Sequence, residues 1–321
     1  MALRIARILG AGFLCLVLTF ALDLRVAFAK DKAKSALTHY IMGVLYEDLG
    51  KIDSAIDEYK KALKSGEDSS LIHLNLASSY IKINDIPKAV VELEAASALD
   101  PEAAEPHAVL ALLYTSQNKI DLATREFEIA LKKAAGLNPK NADIYKSLGA
   151  IYVKQSKLKE AEGMFRMAAD LVPNDAEIHF YLGTIYNELK NYSLAEKEFS
   201  RATELNPDFH EALNSLGYLL VEQSKDLERA GQLIRKALVS DPDNGAYVDS
   251  LGWYYFKKGN LQEALKEVSR ASALIEDPVV YEHLGDIYLK LGDPEKARLN
   301  WQKSLKLDPS REALKNKINR I

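Results

Sequence analysis

Only one of the 321 residues is cysteine, Cys15, and it lies in an apolar run near the start. A chain processed beyond that run keeps no cysteine, which excludes disulfide bracing and thiol nucleophiles. Leu14 stands directly before Cys15, where bacterial lipid attachment wants a small residue. The 16 glycines are scattered and mid-helical in context, so no glycine-rich loop is present to cradle a phosphate. No serine sits in a G-x-S-x-G setting. Basic residues are not in excess, with 42 Lys and Arg against 46 Asp and Glu, a balance that argues against a nucleic-acid surface. No apolar run reaches the ~20 residues that cross a bilayer.

The longest such run, Ile8 to Leu22, is 15 residues and follows Arg4 and Arg7. Ala27-Phe28-Ala29 then supplies a small-x-small cleavage site, so residues 1–29 read as an export signal cut after Ala29. An uncleaved anchor made by residues 8–22 is the alternative. Without residues 1–29 the balance is 39 basic to 45 acidic side chains. The signal resembles those of bacterial exported proteins, a resemblance that implies a periplasmic location.

From Ala142 the chain reads ADIYKSLGAIYVKQSKLKEAEGMFRMAADLVP. Tyr145, Leu148, Gly149 and Tyr152 recur at i, i+3, i+4, i+7, one face of a helix. After a polar turn, Ala161, Phe165 and Ala168 mark a second helix, and Pro173 closes the unit. The same offsets return 34 residues on as Leu182, Gly183, Tyr186, Ala195, Phe199, Ala202 and Pro207. Two short helices back to back cannot bury both apolar faces alone, so each unit asks for neighbours of its own kind.

These residues resemble the tetratricopeptide repeat (TPR), whose aromatic–Leu–Gly–Tyr…Ala…Phe…Ala…Pro pattern they follow. Units begin near residues 36, 70, 104, 142, 176, 210, 245 and 278, after a short lead of residues 30–35. The third closes four residues late at Pro139, which one extra helical turn from Lys132 to Ala135 accommodates. A last helix over 310–321 caps the array. The resemblance implies an all-α, right-handed superhelical solenoid of antiparallel helix pairs spanning 36–309. Glycine or alanine at the first-helix site, and alanine at two second-helix sites, permit close helix approach. No stretch is left over for a catalytic domain, so no enzyme, cofactor or metal is expected.

His39, His73, His107 and His179 share one slot, which Tyr145 and Tyr281 fill elsewhere, and read as packing residues. A cluster of Glu282, His283 and Asp286, with Asp249 near, reads as a solvated face. The resemblance places the binding groove on the opposite face of each first helix. There it sets Lys146, Phe180, Tyr181, Asn187, Asn214, Tyr218, Asp249, Trp253 and Phe256. Phe180, Tyr181, Tyr218, Trp253 and Phe256 then form an aromatic track for a partner segment. The other account packs those rings against neighbouring first helices. The family's carboxylate clamp is not matched, because Ala150 holds its Asn site beside Lys146. Interspersed acids suit a neutral or basic segment, with Asn187 and Asn214 bonding its backbone.

The expected function is a non-enzymatic envelope scaffold that binds a protein or peptide and helps assemble an envelope machine: a pilus, secretion, polysaccharide-export or cell-wall complex. Binding a glycan or cell-wall polymer is the alternative, with Trp253 and Tyr218 stacking on sugar rings.

Overall fold

The computed structural model describes residues 31–66 and 68–320, and every regular element among them is an α-helix. The expected export signal lies outside the described residues. Helical backbone over 31–48 forms α1, which is paired with α2 (Ile52–Ser65). The next pairs are α3 (Ser70–Lys82) with α4 (Ile86–Leu99), and α5 (Glu105–Ser116) with α6 (Ile120–Leu137). Together they make one compact unit that ends at Pro139.

A second unit starts at Lys140. It holds the pairs α7 (Ala142–Lys154) and α8 (Leu158–Leu171), α9 (Ala176–Glu188) and α10 (Tyr192–Leu205), and α11 (His210–Glu222) and α12 (Leu227–Ser240). After these come α13 (Gly245–Lys257) with α14 (Leu261–Leu274), and α15 (Pro278–Lys290) with α16 (Pro294–Leu307). A short α17 (Glu312–Ile318) closes the unit. Second helices are 14 residues long except α6, whose 18 contain the added turn.

Each pair forms for local reasons. In seven of the pairs the chain reverses between the helices through one left-handed residue at the end of the first: Gly50, Asn84, Asn118, Ser156, Lys190, Gly259 and Gly292 all have φ between 57° and 84°, while the turn between α11 and α12 uses two, Ser224 and Asp226. Asn141, Asp175, Asn244 and Asp277 then cap the first helices by accepting backbone N–H bonds at their N-termini.

The pair is held by a ring lying over a residue that lacks a side chain. A Cβ added at Gly183 would stand 2.5 Å from Phe199 Cδ1, and one at Gly149 2.6 Å from Phe165 Cε2. Tyr59 over Gly43 and Trp301 over Gly285 repeat the arrangement. Around it the repeating alanines Ala55, Ala89, Ala161, Ala195, Ala230, Ala264 and Ala297 are fully buried. On the first helices α9, α13 and α15, Ile178, Ile185, Val248 and Ile287 are also fully buried. At the C-terminal end Leu314 of α17 joins Ala297 and Trp301 in a closing cluster. Among the described residues no helix is long and apolar enough to cross a membrane.

Candidate partner-binding site

In the second unit the first helices α9, α11, α13 and α15 border a cleft of about 290 Å³. Asn187 of α9, Asn214 and Tyr218 of α11, Asp249 of α13 and Asp277 at the start of α15 supply its polar wall. Phe199, Ile275 and Val280 supply an apolar floor. Helical spacing explains the set: residues on the face of a first helix away from its own partner meet the same face of the next first helix.

Asn214 Oδ1 is buried and makes no hydrogen bond among the described residues. Such an unmet acceptor costs about 1–3 kcal/mol, which an N–H donor in the cleft would recover once the Asn214 amide turns toward it. Burial pushes the Tyr218 phenol far above its usual range, and the negative charges of Glu222, Asp249 and Glu282 add to the shift. Tyr218 is therefore a neutral donor and acceptor at any physiological pH. The wall has no Lys or Arg, and its two carboxylates are engaged within the chain, Asp249 with His283 and Asp277 as the cap of α15, so it suits a neutral occupant better than an anionic one.

Four of the expected groove residues, Asn187, Asn214, Tyr218 and Asp249, thus come together on one cleft. The aromatic track does not form. Trp253 is only 6% exposed, stacked with His283 at 3.9 Å and Phe256 at 4.6 Å between ring centres, and its indole N–H donates to Glu222. It is a core residue with no open face for a partner, which also removes it from the sugar-stacking pair. Phe180 packs among Phe199 and Phe209, and Tyr181 stacks on Phe165 at 4.7 Å. The physical reason is proximity: Trp253 fills the gap to the next first helix at His283, while Phe180 and Tyr181 pack on the second helices at Phe199 and Phe165. Phe256 remains partly open at a separate pocket with Leu289 and Trp301. Lys146 is engaged within the chain, its ammonium 2.9 Å from Asp175 and 2.5 Å from Glu177.

The cluster read as a solvated face is also corrected. His283 is buried and Nδ1 lies 2.9 Å from Asp249, a bond joining two repeats. Glu282 and Asp286 pair with Arg311 and Lys317, tying the end of the chain to α15. Although burial works against its charge, the Lys317 ammonium is held above its ordinary value by hydrogen bonds to Asp286 and Glu282. The four slot-sharing histidines do more than pack. Each bonds a glutamate 19 residues on, across its own helix pair: His39–Glu58 at 2.7 Å, His73–Glu92 at 2.6 Å, His107–Glu126 at 2.8 Å and His179–Glu198 at 2.6 Å. The repeated spacing was visible in the sequence. Among the described residues no group of three or more His, Cys, Asp or Glu is placed to hold a metal.

Stacked two-helix repeats that present a polar cleft on their first helices define a repeat protein built for binding other proteins. The chain belongs to the tetratricopeptide repeat family. The model of the cilia and flagella-associated protein 70 C-terminal domain, a TPR region, matches residues 22–215, and that of the tetratricopeptide repeat matches 278–311. A TPR repeat-containing protein of Pseudomonas aeruginosa is 37% identical over 75 residues, 23% of this chain and 13% of its own length. Anaphase-promoting complex subunit 3 of Schizosaccharomyces pombe is 36% identical over 89 residues, 28% of this chain and 13% of its own. The chain thus spans about an eighth of each of these curated relatives.

Among solved structures, a TPR protein from Parabacteroides merdae aligns over 78% of this chain and 97% of its own, with TM-score 0.58 and 18% identity. The APC/C hetero-tetramer Cut9–Hcn1 covers 84% of this chain and 52% of its own at TM-score 0.57 and 19% identity. The pilF protein of Pseudomonas aeruginosa covers 69% and 99% at TM-score 0.52 and 17% identity. At these identities the likeness is one of fold. Proteins of the TPR family are generally non-catalytic scaffolds whose repeats bind protein or peptide partners.

Proposed function

We propose that this protein is an assembly scaffold of the bacterial cell envelope that holds an extended partner segment in the cleft of α9, α11, α13 and α15. The observation that carries the reading is the unmet Asn214 acceptor on a wall shared with Asn187 and Tyr218. Side-chain amides that bond a peptide backbone tolerate many sequences, while the floor of Phe199 and Val280 receives an apolar side chain. Because the wall stands on helices, the site is held in shape before binding and less ordering entropy is lost. Export to the periplasm is part of the proposal and is supported by Arg4, Arg7, the run Ile8–Leu22 and Ala27-Phe28-Ala29.

A photo-crosslinking amino acid at Ser215, on the cleft wall, tests the binding site in cells. The expected result is one captured protein species that is absent when the crosslinker stands at the exposed Val239 of α12, and lost in Asn214→Ala/Tyr218→Ala. Equal capture from both positions, or capture of polysaccharide in place of protein, overturns the reading. Cell fractionation with N-terminal sequencing checks export: a periplasmic chain starting at Lys30 is expected, and a cytosolic chain starting at Met1 refutes it.

A further inference from the structure

At the thirteenth position of successive repeats in the second unit the chain carries Lys154, Glu188, Glu222, Lys257 and Lys290. The charge on this ridge is positive in the fourth repeat, negative in the fifth and sixth, and positive again in the seventh and eighth. Beside the basic end lie two adjoining pockets of about 410 and 360 Å³ that share Phe256 and Lys290. Phe256, Leu289, Leu261 and Trp301 make their lining mostly apolar.

Their cations are not equivalent. Lys317 is neutralised by Asp286 at 2.7 Å and Glu282 at 3.1 Å. Asp286 is further occupied by the Trp301 indole N–H at 3.0 Å. Lys257, Lys290 and Arg320, which line these pockets, have no carboxylate partner among the described residues. Three cations without a carboxylate partner therefore rim an apolar hollow, Lys257 lying over the Trp253 ring at 5.1 Å, and Leu289 beside them is 41% exposed.

We propose that this hollow docks an acidic peptide segment with one large apolar side chain. The anchor sits on Phe256 and Leu289, and flanking carboxylates face Lys257, Lys290 and Arg320. Charge complementarity chooses the occupant. A flat bilayer does not enter a recess between helices. A nucleic-acid backbone is repelled by Glu188 and Glu222 along the same ridge. The hollow shares no residue with the cleft of α9 and α11, so its occupancy stands or falls independently. Where one partner fills both, its acidic end lies toward α17 and its neutral or basic part toward α9, which fixes its direction.

The test uses the full exported chain and two fluorescein-labelled peptides, Asp-Glu-Phe-Asp-Glu and Lys-Lys-Phe-Lys-Lys, followed by anisotropy. Saturable binding of the acidic peptide is expected, weakening as salt rises and falling at least about tenfold in Lys290→Glu/Arg320→Glu. Leu289→Ala lowers binding at unchanged salt dependence, since it removes the anchor's contact alone. Lys290, Arg320 and Leu289 are all exposed, so circular dichroism stays helical. Failure of the acidic peptide to saturate, equal binding of the lysine peptide, or indifference to the double charge reversal overturns the proposal. Sedimentation with phosphatidylglycerol vesicles through the same residues, without peptide binding, also overturns it and names a membrane instead. Crosslinking at Ser215 reads the other cleft, so failure there leaves this result distinguishable.

Discussion

Two glycines twenty residues apart in the second unit should respond to the same substitution with opposite sign. Gly183 lies in α9 under the Phe199 ring, and an alanine Cβ there would stand 2.5, 2.7 and 2.9 Å from Cδ1, Cε1 and Cγ. Carbon atoms pack comfortably at about 3.5–4.0 Å, so the ring must retreat by about 1 Å. Phe199 is 2% exposed and neighbours Phe180 at 6.0 Å between ring centres, which leaves little space for the retreat. Overpacking of this kind costs about 1–3 kcal/mol, and the helix-forming advantage of alanine over glycine returns about 0.8–1 kcal/mol. Gly183→Ala is therefore destabilising by up to about 2 kcal/mol.

Gly163, in the middle of α8, has nothing within 4 Å of an added Cβ. Gly163→Ala should keep the full advantage and stabilise by about 0.8–1 kcal/mol. Urea titrations followed by circular dichroism, with the slope unchanged between variants, measure both. Combining Gly183→Ala with Phe199→Leu should recover about 1 kcal/mol of coupling, because the shorter side chain makes room. If both alanines raise the midpoint, the ring does not hold the helix pair in the way described, and helix propensity alone governs these sites.

Two further outcomes follow from turn and charge geometry. Asp175 is held below the usual carboxylate value: burial opposes this, but its bond to Lys146 and the N–H of Glu177 prevail. A lowered native value gives stability that is present above the unfolded carboxylate pKa and is lost as pH falls through the lower native one. The advantage of the wild type over Asp175→Asn, which keeps the helix cap, should therefore be constant near neutrality and shrink below about pH 4; a gap in urea midpoints that does not change with pH contradicts the pairing. Lys190 adopts φ 59° at a turn where Gly259 and Gly292 serve in later repeats. Lys190→Gly should raise the urea midpoint by about 0.5–1 kcal/mol as left-handed strain is relieved, and a lower midpoint would show the lysine side chain to be stabilising instead.

What could be read from the amino acids alone was what each repeat decides for itself. The 34-residue period, the Gly183-to-Phe199 fit, the left-handed turns and the extra turn in α6 depend on residues within one helix pair, at spacings set by 3.6 residues per turn. The His–Glu bonds went unread, the histidines being taken as packing residues, although the spacing of 19 that recurs four times was the signal for them. The face between repeats was another matter. A groove position and a position buried against the next first helix share one sequence slot, and their fate depends on how closely the neighbouring helix approaches. That distance closed over Trp253 and joined Asp249 to His283, yet left Asn214 and Tyr218 on an open cleft. Periodicity tells which way a side chain points; only the packed neighbours decide whether solvent or another residue lies there.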